Sequence, residues 1–523
     1  MGHHARTCAR AATLVAAVLA ALSGAACAAR APVSSAATAA SARAGVDALI
    51  KRGCYQCLEQ AYNLATGSDS RGRASLTPAA SPVEADLPAS AKASAGLRSA
   101  EREGWQVRLR LAPQAFESAL LLAARAKELG LPYEPWLDRA RASMPAGPDW
   151  SDYLAIVLSL RIDPLSGDRD AILTDTLKYR ATRETVAGWR ADLGQGAGSP
   201  VLRAYLELSL VCQYVVDDRN VTIAAAVQRF PDVPLIEYRA GLCGPSQAPH
   251  LTAVQDADPD FVDVDLTLGR YALDIPQQPD QDEALRRFTA ARETFPGSPA
   301  VVASLGSLRE DREEWADALD AYEATLTMVP THRDALLGRA VTLSHLERYE
   351  DAVAAATRIL ELGTWFTGEA YYWRAWNEYH LARIEEARID TDRAKGLMHS
   401  APVFVLSGMI EWHDRRFDSS EAELQDALTI DAGQCEAAFL LGAVRAERQQ
   451  WASGAAAFGL AQRCYDLSVT LRREAIDRIS AGPGSEAGKA RQIARQQRAM
   501  TEEAQHRDEA AQNAAQLQKR AGV

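Results

Sequence analysis

The chain has no excess of basic residues and little glycine, proline or cysteine. Its 523 residues include 57 Lys and Arg against 69 Asp and Glu, which gives a net charge of −12 and a pI of about 5.4. Nucleic-acid-binding proteins carry basic patches, so this composition argues against that class. The 33 Gly and 23 Pro are too few for a fibrous protein, and the eight Cys are too few for a disulfide-built scaffold. The 47% of hydrophobic residues is instead typical of packed cores.

Long apolar runs are absent after residue 27, but a shorter run stands near the N-terminus. The first ten residues carry two Arg and no acid, and residues 11–26 are small and apolar. This run is shorter than the roughly 20 residues of a membrane-spanning helix. A basic start followed by a short apolar run and small residues predicts a signal peptide over residues 1–27.

The end of this signal, LSGAAC at 22–27, is similar to the bacterial lipoprotein box, in which the cysteine is lipidated after cleavage. The resemblance implies a lipid on Cys27 and, because Ala28 rather than Asp follows, an outer-membrane location. Gly24 departs from the box, which prefers Leu there, so ordinary cleavage at this point stays the alternative. The sequence therefore predicts an exported protein of the periplasm or outer membrane that contacts a membrane only through this lipid.

Sequence motifs of common enzymes are also missing. The chain has no G-x-S-x-G, no G-x-x-x-x-G-K-[ST], no H-E-x-x-H and no G-x-G-x-x-G. We therefore predict neither enzyme activity nor a cofactor. An enzyme whose site lies in the irregular first half is the least favoured of three functional hypotheses.

Small residues recur at a pitch of about 34 residues through the second half of the chain. They stand at positions 284, 318, 352, 387, 420 and 454, in steps of 34, 34, 35, 33 and 34. A large residue, such as Trp315 or Tyr349, precedes them by three positions in most copies. Random apolar content would not hold such a register over six copies, so the pattern indicates a repeat architecture.

This register resembles the tetratricopeptide repeat over residues 261–466. The resemblance implies six antiparallel helix pairs in an all-α superhelical solenoid, and the residue types fit that fold. Gly306 and Ala318 allow close approach where two helices cross, and Trp315 fills the gap beside the turn. Pro330 stops a second helix because proline cannot continue it. One pair cannot bury its apolar face alone, so stacking supplies the core.

The region before the repeats is predicted to be helical but irregular. Residues 28–45 are rich in Ala and Ser and predict a flexible tether. Residues 46–260 predict an irregular, repeat-like helical region, with one helix at 46–64 and a loop at 66–100. No segment alternates β-branched and polar residues over several strands, so no sheet is predicted.

The region after the repeats is predicted to cap the solenoid. Residues 467–523 hold a helical segment at 467–479, a Gly-Pro-Gly break at 482–484, and a long Ala-, Gln- and Arg-rich helix at 486–519. A solenoid needs a polar terminal cap, and this composition fits one.

Six cysteines beyond residue 27 predict three disulfides in an oxidising compartment. Cys435 and Cys464 begin and end a predicted helical hairpin, so they should lie side by side. Cys212–Cys243 is the second predicted pair, and the C-x-x-C of Cys54 and Cys57 is predicted to be a structural disulfide. A redox role would need a thioredoxin-like setting, and a zinc site would need a second C-x-x-C; both are missing.

In the tetratricopeptide repeat, the first helix of each pair lines the concave face. Its inward positions predict a partner-binding surface made of Tyr372, Trp376, Tyr379, His380, Met409, Trp412, His413 and Phe439. Seven aromatic residues fall within 365–379, the densest aromatic segment of the chain. Exposed aromatic side chains on a concave surface indicate a binding groove, although packing on a neighbouring helix or on the cap is the alternative.

The same inward positions exclude two other kinds of site. They carry no paired Lys, Arg and Asn set, so recognition of a peptide's terminal carboxylate is not expected. His380 and His413 occupy equivalent positions, but no third ligand stands nearby, so no metal is predicted.

The leading hypothesis is a non-catalytic envelope scaffold that binds a protein or peptide partner in the concave groove. The second is a carbohydrate- or lipid-binding envelope protein that uses the aromatic segment 365–379. The sequence leaves the partner and the oligomeric state open.

Overall fold

A computed structural model describes residues 35–67 and 111–522, apart from residues 148, 164, 166, 168, 275–279, 364–365 and 483. Every regular element among these residues is a helix, which confirms the predicted all-α class. The helices before the repeats are α1 Ser35–Arg52, α2 Tyr55–Thr66, α3 Ala112–Leu129, α4 Glu134–Ser143, α5 Asp149–Ser159, α6 Arg169–Lys178, α7 Arg183–Gln195, α8 Pro200–Gln213, α9 Arg219–Arg229, α10 Pro234–Gly241 and α11 Ala248–Ala257.

Consecutive helix pairs make up the second half of the described chain. The six pairs are α12 Asp265–Leu273 with α13 Gln281–Thr294, α14 Pro299–Asp311 with α15 Trp315–Met328, α16 Arg333–His345 with α17 Tyr349–Leu362, α18 Thr367–His380 with α19 Ile384–Leu397, α20 Ala401–His413 with α21 Phe417–Ile430, and α22 Cys435–Glu447 with α23 Trp451–Ala481. A last helix, α24, covers Glu486–Ala521.

Small residues lie where the two helices of a pair cross. Ala318 and Ala352 have no exposed surface. A Cβ atom added to Gly306 would stand 2.8 Å from the Tyr322 ring, so only glycine permits this approach. Such packing fills the space between helices to the density of a protein interior. The pairs therefore have the solenoid architecture that the 34-residue register predicts.

Two predictions about the start of the chain are wrong. The segment 28–45 is not wholly a tether, because α1 begins at Ser35; its alanines favour a helix, and composition alone does not separate an Ala-rich helix from an Ala-rich linker. The segment 46–64 is not one helix either. Gly53, with a φ of +75°, separates α1 from α2, and a Cβ there would lie 2.4 Å from Leu235.

Other predictions fall on residues that the structure does not describe. They are the signal peptide at 1–27, the lipidation site Cys27, Trp365, and nearly all of the loop at 66–100.

The C-terminal cap is a long helical hairpin. The predicted boundary at residue 466 implied that the first helix of the cap is separate from the last repeat. This prediction is wrong, because α23 continues unbroken from Trp451 to Ala481. Near the other end of α24, Ala510, Ala514 and Leu517 are buried against the last pair. The apolar residues of the cap therefore extend the solenoid core, as a terminal cap must.

The irregular first half packs directly on the first repeat. The fully buried guanidinium of Arg125 forms an ion pair with the buried carboxylate of Asp263. The Ser298 hydroxyl, at the start of α14, donates a hydrogen bond to the Leu129 carbonyl at 2.6 Å. Buried charge pairs of this kind fix the register between two surfaces because a lone buried charge is costly.

Candidate partner-binding face

The first helices α14, α16, α18, α20 and α22 lie side by side along the solenoid, and we call the surface they share the first-helix face. All eight residues predicted to bind a partner belong to the last three of these helices. His380 and His413 are exposed, and the other six are half-buried: Tyr372, Trp376, Tyr379, Met409, Trp412 and Phe439.

Ring contacts tie several of these side chains together. His380 stacks on Tyr349 with ring centroids 4.9 Å apart, and it lies 4.9 Å from Trp376 and 5.8 Å from Tyr379. Tyr379 in turn meets the His413 ring edge-on at 6.3 Å. Offset and edge-on ring contacts hold side chains in a defined orientation, so this group is preorganised.

The same arrangement occurs one repeat earlier, where sequence reasoning missed it. His345 stacks on Trp315 at 4.0 Å. His345, His380 and His413 are the last residues of three consecutive first helices. Comparing that position between copies would have found His345, whereas its ring partner stands on the preceding pair and is visible only in three dimensions. We call the ring contacts from Trp315 to His413 the histidine ladder.

Burial affects the protonation of two histidines of this ladder. It lowers the pKa of His345 and of His380, because desolvation disfavours the imidazolium form. It also raises the pKa of Tyr372 to about 12. At neutral pH the buried part of the first-helix face therefore presents neutral rings, which suit an apolar or aromatic partner better than a charged one.

The remaining predicted residues divide between two neighbouring clusters. Met409 and Trp412 pack against a cluster that includes Val405 and Leu424. Phe439 lies 5.1 Å from Phe458 and 6.4 Å from His506 of α24. Of the two alternative interpretations, packing on the cap describes Phe439. Packing on a neighbouring helix describes part of the surface of Tyr372, Trp376 and Tyr379, which contact a cluster that includes Leu406 and Ile410 of α20.

The six cysteines form the three pairs expected from the sequence. The disulfides are Cys54–Cys57, Cys212–Cys243 and Cys435–Cys464. The last pair joins the start of α22 to the middle of α23 and so closes the final helix pair. Cys54 and Cys57 are buried at the start of α2, which suits a structural role.

The described residues hold no group of three or more His, Cys, Asp or Glu placed to bind a metal. Within the same part of the chain, no helix combines the length and the apolar character that a membrane span requires.

No family model matches the chain, and no curated protein matches it. Among solved structures, YrrB, described as a TPR protein with an unusual peptide-binding site, is 18% identical, with 34% of this chain and 91% of that chain covered and a TM-score of 0.29. A tetratricopeptide repeat protein from Parabacteroides merdae is 15% identical over 46% of this chain and 99% of that chain, with a TM-score of 0.34. The Cut9–Hcn1 hetero-tetramer of the APC/C is 12% identical over 87% and 88%, with a TM-score of 0.34. Scores this low do not carry the fold assignment, which rests on the repeat register and packing described above.

Proposed function

We propose that this protein is a non-catalytic scaffold that binds a protein or peptide partner on the first-helix face. One observation carries the proposal: half-exposed aromatic and histidine side chains continue across consecutive helix pairs of a solenoid. Solenoids offer extended surfaces of this kind for binding. Aromatic anchors supply most of the binding energy in many protein interfaces.

The chemistry of the face favours an apolar or aromatic segment of the partner. Trp376, Tyr379 and Trp412 offer large rings that can bury area. The indole N–H of each Trp can donate a hydrogen bond, and the Tyr379 hydroxyl can donate or accept one. Met409 adds a flexible side chain that adapts to different partner shapes. The partner's anchors would therefore be side chains of an exposed segment rather than a terminal carboxylate.

We also propose that the protein is exported and anchored by a lipid on Cys27. The N-terminal pattern supports this, and three disulfides are typical of an oxidising compartment. Mass spectrometry of the mature protein tests it. An acylated N-terminal Cys27 is the expected result. An unmodified N-terminus beside residue 27 would show that the protein is cleaved and secreted without a lipid anchor.

The binding proposal is tested with peptides selected from a displayed library against the purified chain. Trp376→Ala should weaken the selected peptides about tenfold or more, as loss of an anchor of at least 1.4 kcal/mol does. Tyr371→Ala is the matched control, because Tyr371 lies on the same helix but packs beside Arg374 and Arg393. The affinity of Tyr371→Ala for the selected peptides should stay within about twofold of wild type.

Thermal unfolding of both variants separates binding from folding. If Trp376→Ala unfolds at a much lower temperature than Tyr371→Ala, Trp376 is a core residue and the proposal loses its anchor. If peptides bind both variants equally well and Trp412→Ala has no effect, the binding site lies elsewhere. Binding of soluble glycans alone would favour the carbohydrate hypothesis.

A further inference from the structure

A second concave site lies in the irregular first half, away from the first-helix face. Its walls are α6, α7, the end of α8 at Gln213 and the segment 214–218 that follows it, and its volume is about 1100 Å³. Small-molecule sites in proteins typically have volumes of about 300–1,000 Å³, so this cavity is slightly larger than most of them.

Much of the lining is apolar and open to solvent. Leu177 on α6 is 60% exposed and Val215 on the opposite wall is 78% exposed, whereas Val186 on α7 is buried. Large apolar side chains exposed on both sides of a cleft are costly in water, and such clefts mark binding sites. The apolar walls therefore favour a ligand with a hydrocarbon part.

The charge of the lining is opposite to that of the chain. Four Arg and two Asp line the cavity, in a protein whose net charge is −12. Arg190 is already engaged, at 2.7 Å from Asp218 and 3.5 Å from Glu207.

The other three lining arginines are Arg161, Arg180 and Arg183. All three are exposed, and none of them takes part in an ion pair among the described residues, although the charge of Arg183 contributes to the lowered pKa of its neighbour Glu184. Asp218 is already paired with Arg190. Asp217 is therefore the one lining aspartate that is left to balance the charge of these three arginines. The excess of free guanidinium groups favours an anionic head group.

The remaining polar groups of the lining are largely occupied. The Gln213 amide accepts from the Arg161 backbone N–H at 2.7 Å and donates to the Ser159 carbonyl at 2.8 Å. The Thr182 hydroxyl accepts from the Thr185 N–H at 3.1 Å. A bound peptide needs donors and acceptors along its whole backbone, so these occupied groups favour a ligand that makes few polar contacts.

We propose that this cavity binds a long-chain fatty acid. The acyl chain lies along the apolar walls formed by Leu173, Leu177, Val186 and Val215, and the carboxylate is held by Arg180 or Arg183. A single anionic group at one end of a hydrocarbon chain matches both the free guanidinium groups and the scarcity of other free polar partners.

The test uses the purified full chain, the fluorescent fatty acid cis-parinaric acid, and palmitate as the competitor. Saturable one-to-one binding displaced by palmitate is expected. The double variant Arg180→Ala/Arg183→Ala and the single variant Leu177→Asp should each weaken palmitate about tenfold or more. Hexadecanol, which has the chain without the charge, should compete about tenfold more weakly than palmitate.

Leu397→Asp is the matched control, since Leu397 is also 60% exposed but lies on α19 in the repeats. Arg473→Ala, an exposed arginine of α23, is the control for charge loss. Both controls should bind palmitate like wild type. Absence of saturable binding, or equal losses in the controls, would overturn the proposal. Binding to phosphatidylglycerol vesicles without binding to free palmitate would also overturn it, in favour of a membrane contact.

Discussion

Tyr322 illustrates how one side chain determines the packing of two repeats. Its ring fills the space beside Gly306 of its own pair and Gly338 of the next, where added Cβ atoms would lie 2.8 and 2.2 Å from ring carbons. Its hydroxyl donates to a Glu310 carboxylate oxygen at 2.6 Å. The two glycines are thus required by a neighbouring ring rather than by backbone conformation.

Glu378 is an acidic residue in an unfavourable place. It lies on α18 and is 7% exposed, and its pKa is raised to about 7 by burial first and by the charge of Asp390 second. The charge of Arg374 lowers the pKa of Glu378. It does not offset the two effects that raise this pKa, because Arg374 is itself paired with Asp390 at 2.9 Å. Ionised Glu378 therefore destabilises the fold.

Glu378→Gln should accordingly stabilise the protein in a pH-dependent way. Because the folded pKa is above the ordinary value, wild-type stability is fully present below about pH 4.5 and is lost as the pH rises through 7. At pH 8 the variant should gain about 1–2 kcal/mol, and near pH 4.5 it should gain almost nothing. Thermal unfolding at the two pH values measures this, and an equal gain at both would show that titration is not the cause.

At the scale of elements, the turns inside the helix pairs share an unusual backbone. The residue two positions before each second helix has a φ near +60°, in the left-handed region, in five successive pairs: Glu313, Glu347, Ala382, Arg415 and Gln449. Side chains other than glycine and asparagine are strained there. The turn geometry is thus imposed by the helix pairs on residues that do not favour it.

Ala382→Gly should relieve this strain without removing any side-chain hydrogen bond. A gain of about 0.5–1 kcal/mol in unfolding free energy is expected, since the strain of a left-handed alanine exceeds the entropy that glycine loses. Ala354→Gly, at an exposed position inside α17, is the matched control and should lose about 1 kcal/mol. Denaturant unfolding distinguishes the two, and a loss in Ala382→Gly would mean that this turn is not strained.

At the scale of the whole molecule, the C-terminal hairpin connects the end of the solenoid to its beginning. Arg491 pairs with Asp282 of the first repeat, and Arg495 and Arg498 lie 2.8 and 3.1 Å from Glu313 of the second. These arginines are about half exposed or more, and a cavity of about 450 Å³ remains beside them. Charged groups near the tip of this hairpin therefore make these contacts of α24 with the first two repeats.

Salt should release this tip before it affects the rest of the fold. In 1 M salt the Debye length is about 3 Å, so the attraction within exposed ion pairs is strongly reduced. Hydrogen exchange of the amides in the first half of α24 should rise with salt, and Glu313→Arg should produce the same rise at low salt.

Charge reversal provides the control for this prediction. Adding Arg495→Glu and Arg498→Glu to Glu313→Arg should restore protection, because the pair is rebuilt with opposite signs. Asp351→Arg breaks an exposed pair with Arg348 that includes no residue of α24, and it should leave α24 unchanged. Protection that is insensitive to all these changes would show that the tip is held by other contacts.

Much of the repeat region could be predicted from the sequence because its cause is local and repeated. The register is visible from Ala318, Ala352 and Ala387. Each of them lies where the two helices of its own pair cross, and only a small residue fits there. The predicted inward positions likewise lie on the first-helix face. The histidine ladder was found only in part, because Trp315 and His345 belong to different pairs and meet through stacking.

The sequence by itself determined the helical class, the pitch of the repeats and the residues that face one another within a pair. These follow from spacing along one chain segment, where helix geometry leaves little choice. Only the tertiary structure decided how distant segments combine. It joined Arg491 to Asp282 and Arg125 to Asp263, and it assembled the arginine-lined cavity from helices that no period relates. Such contacts depend on how far the solenoid curves and where its ends meet, which no local pattern encodes.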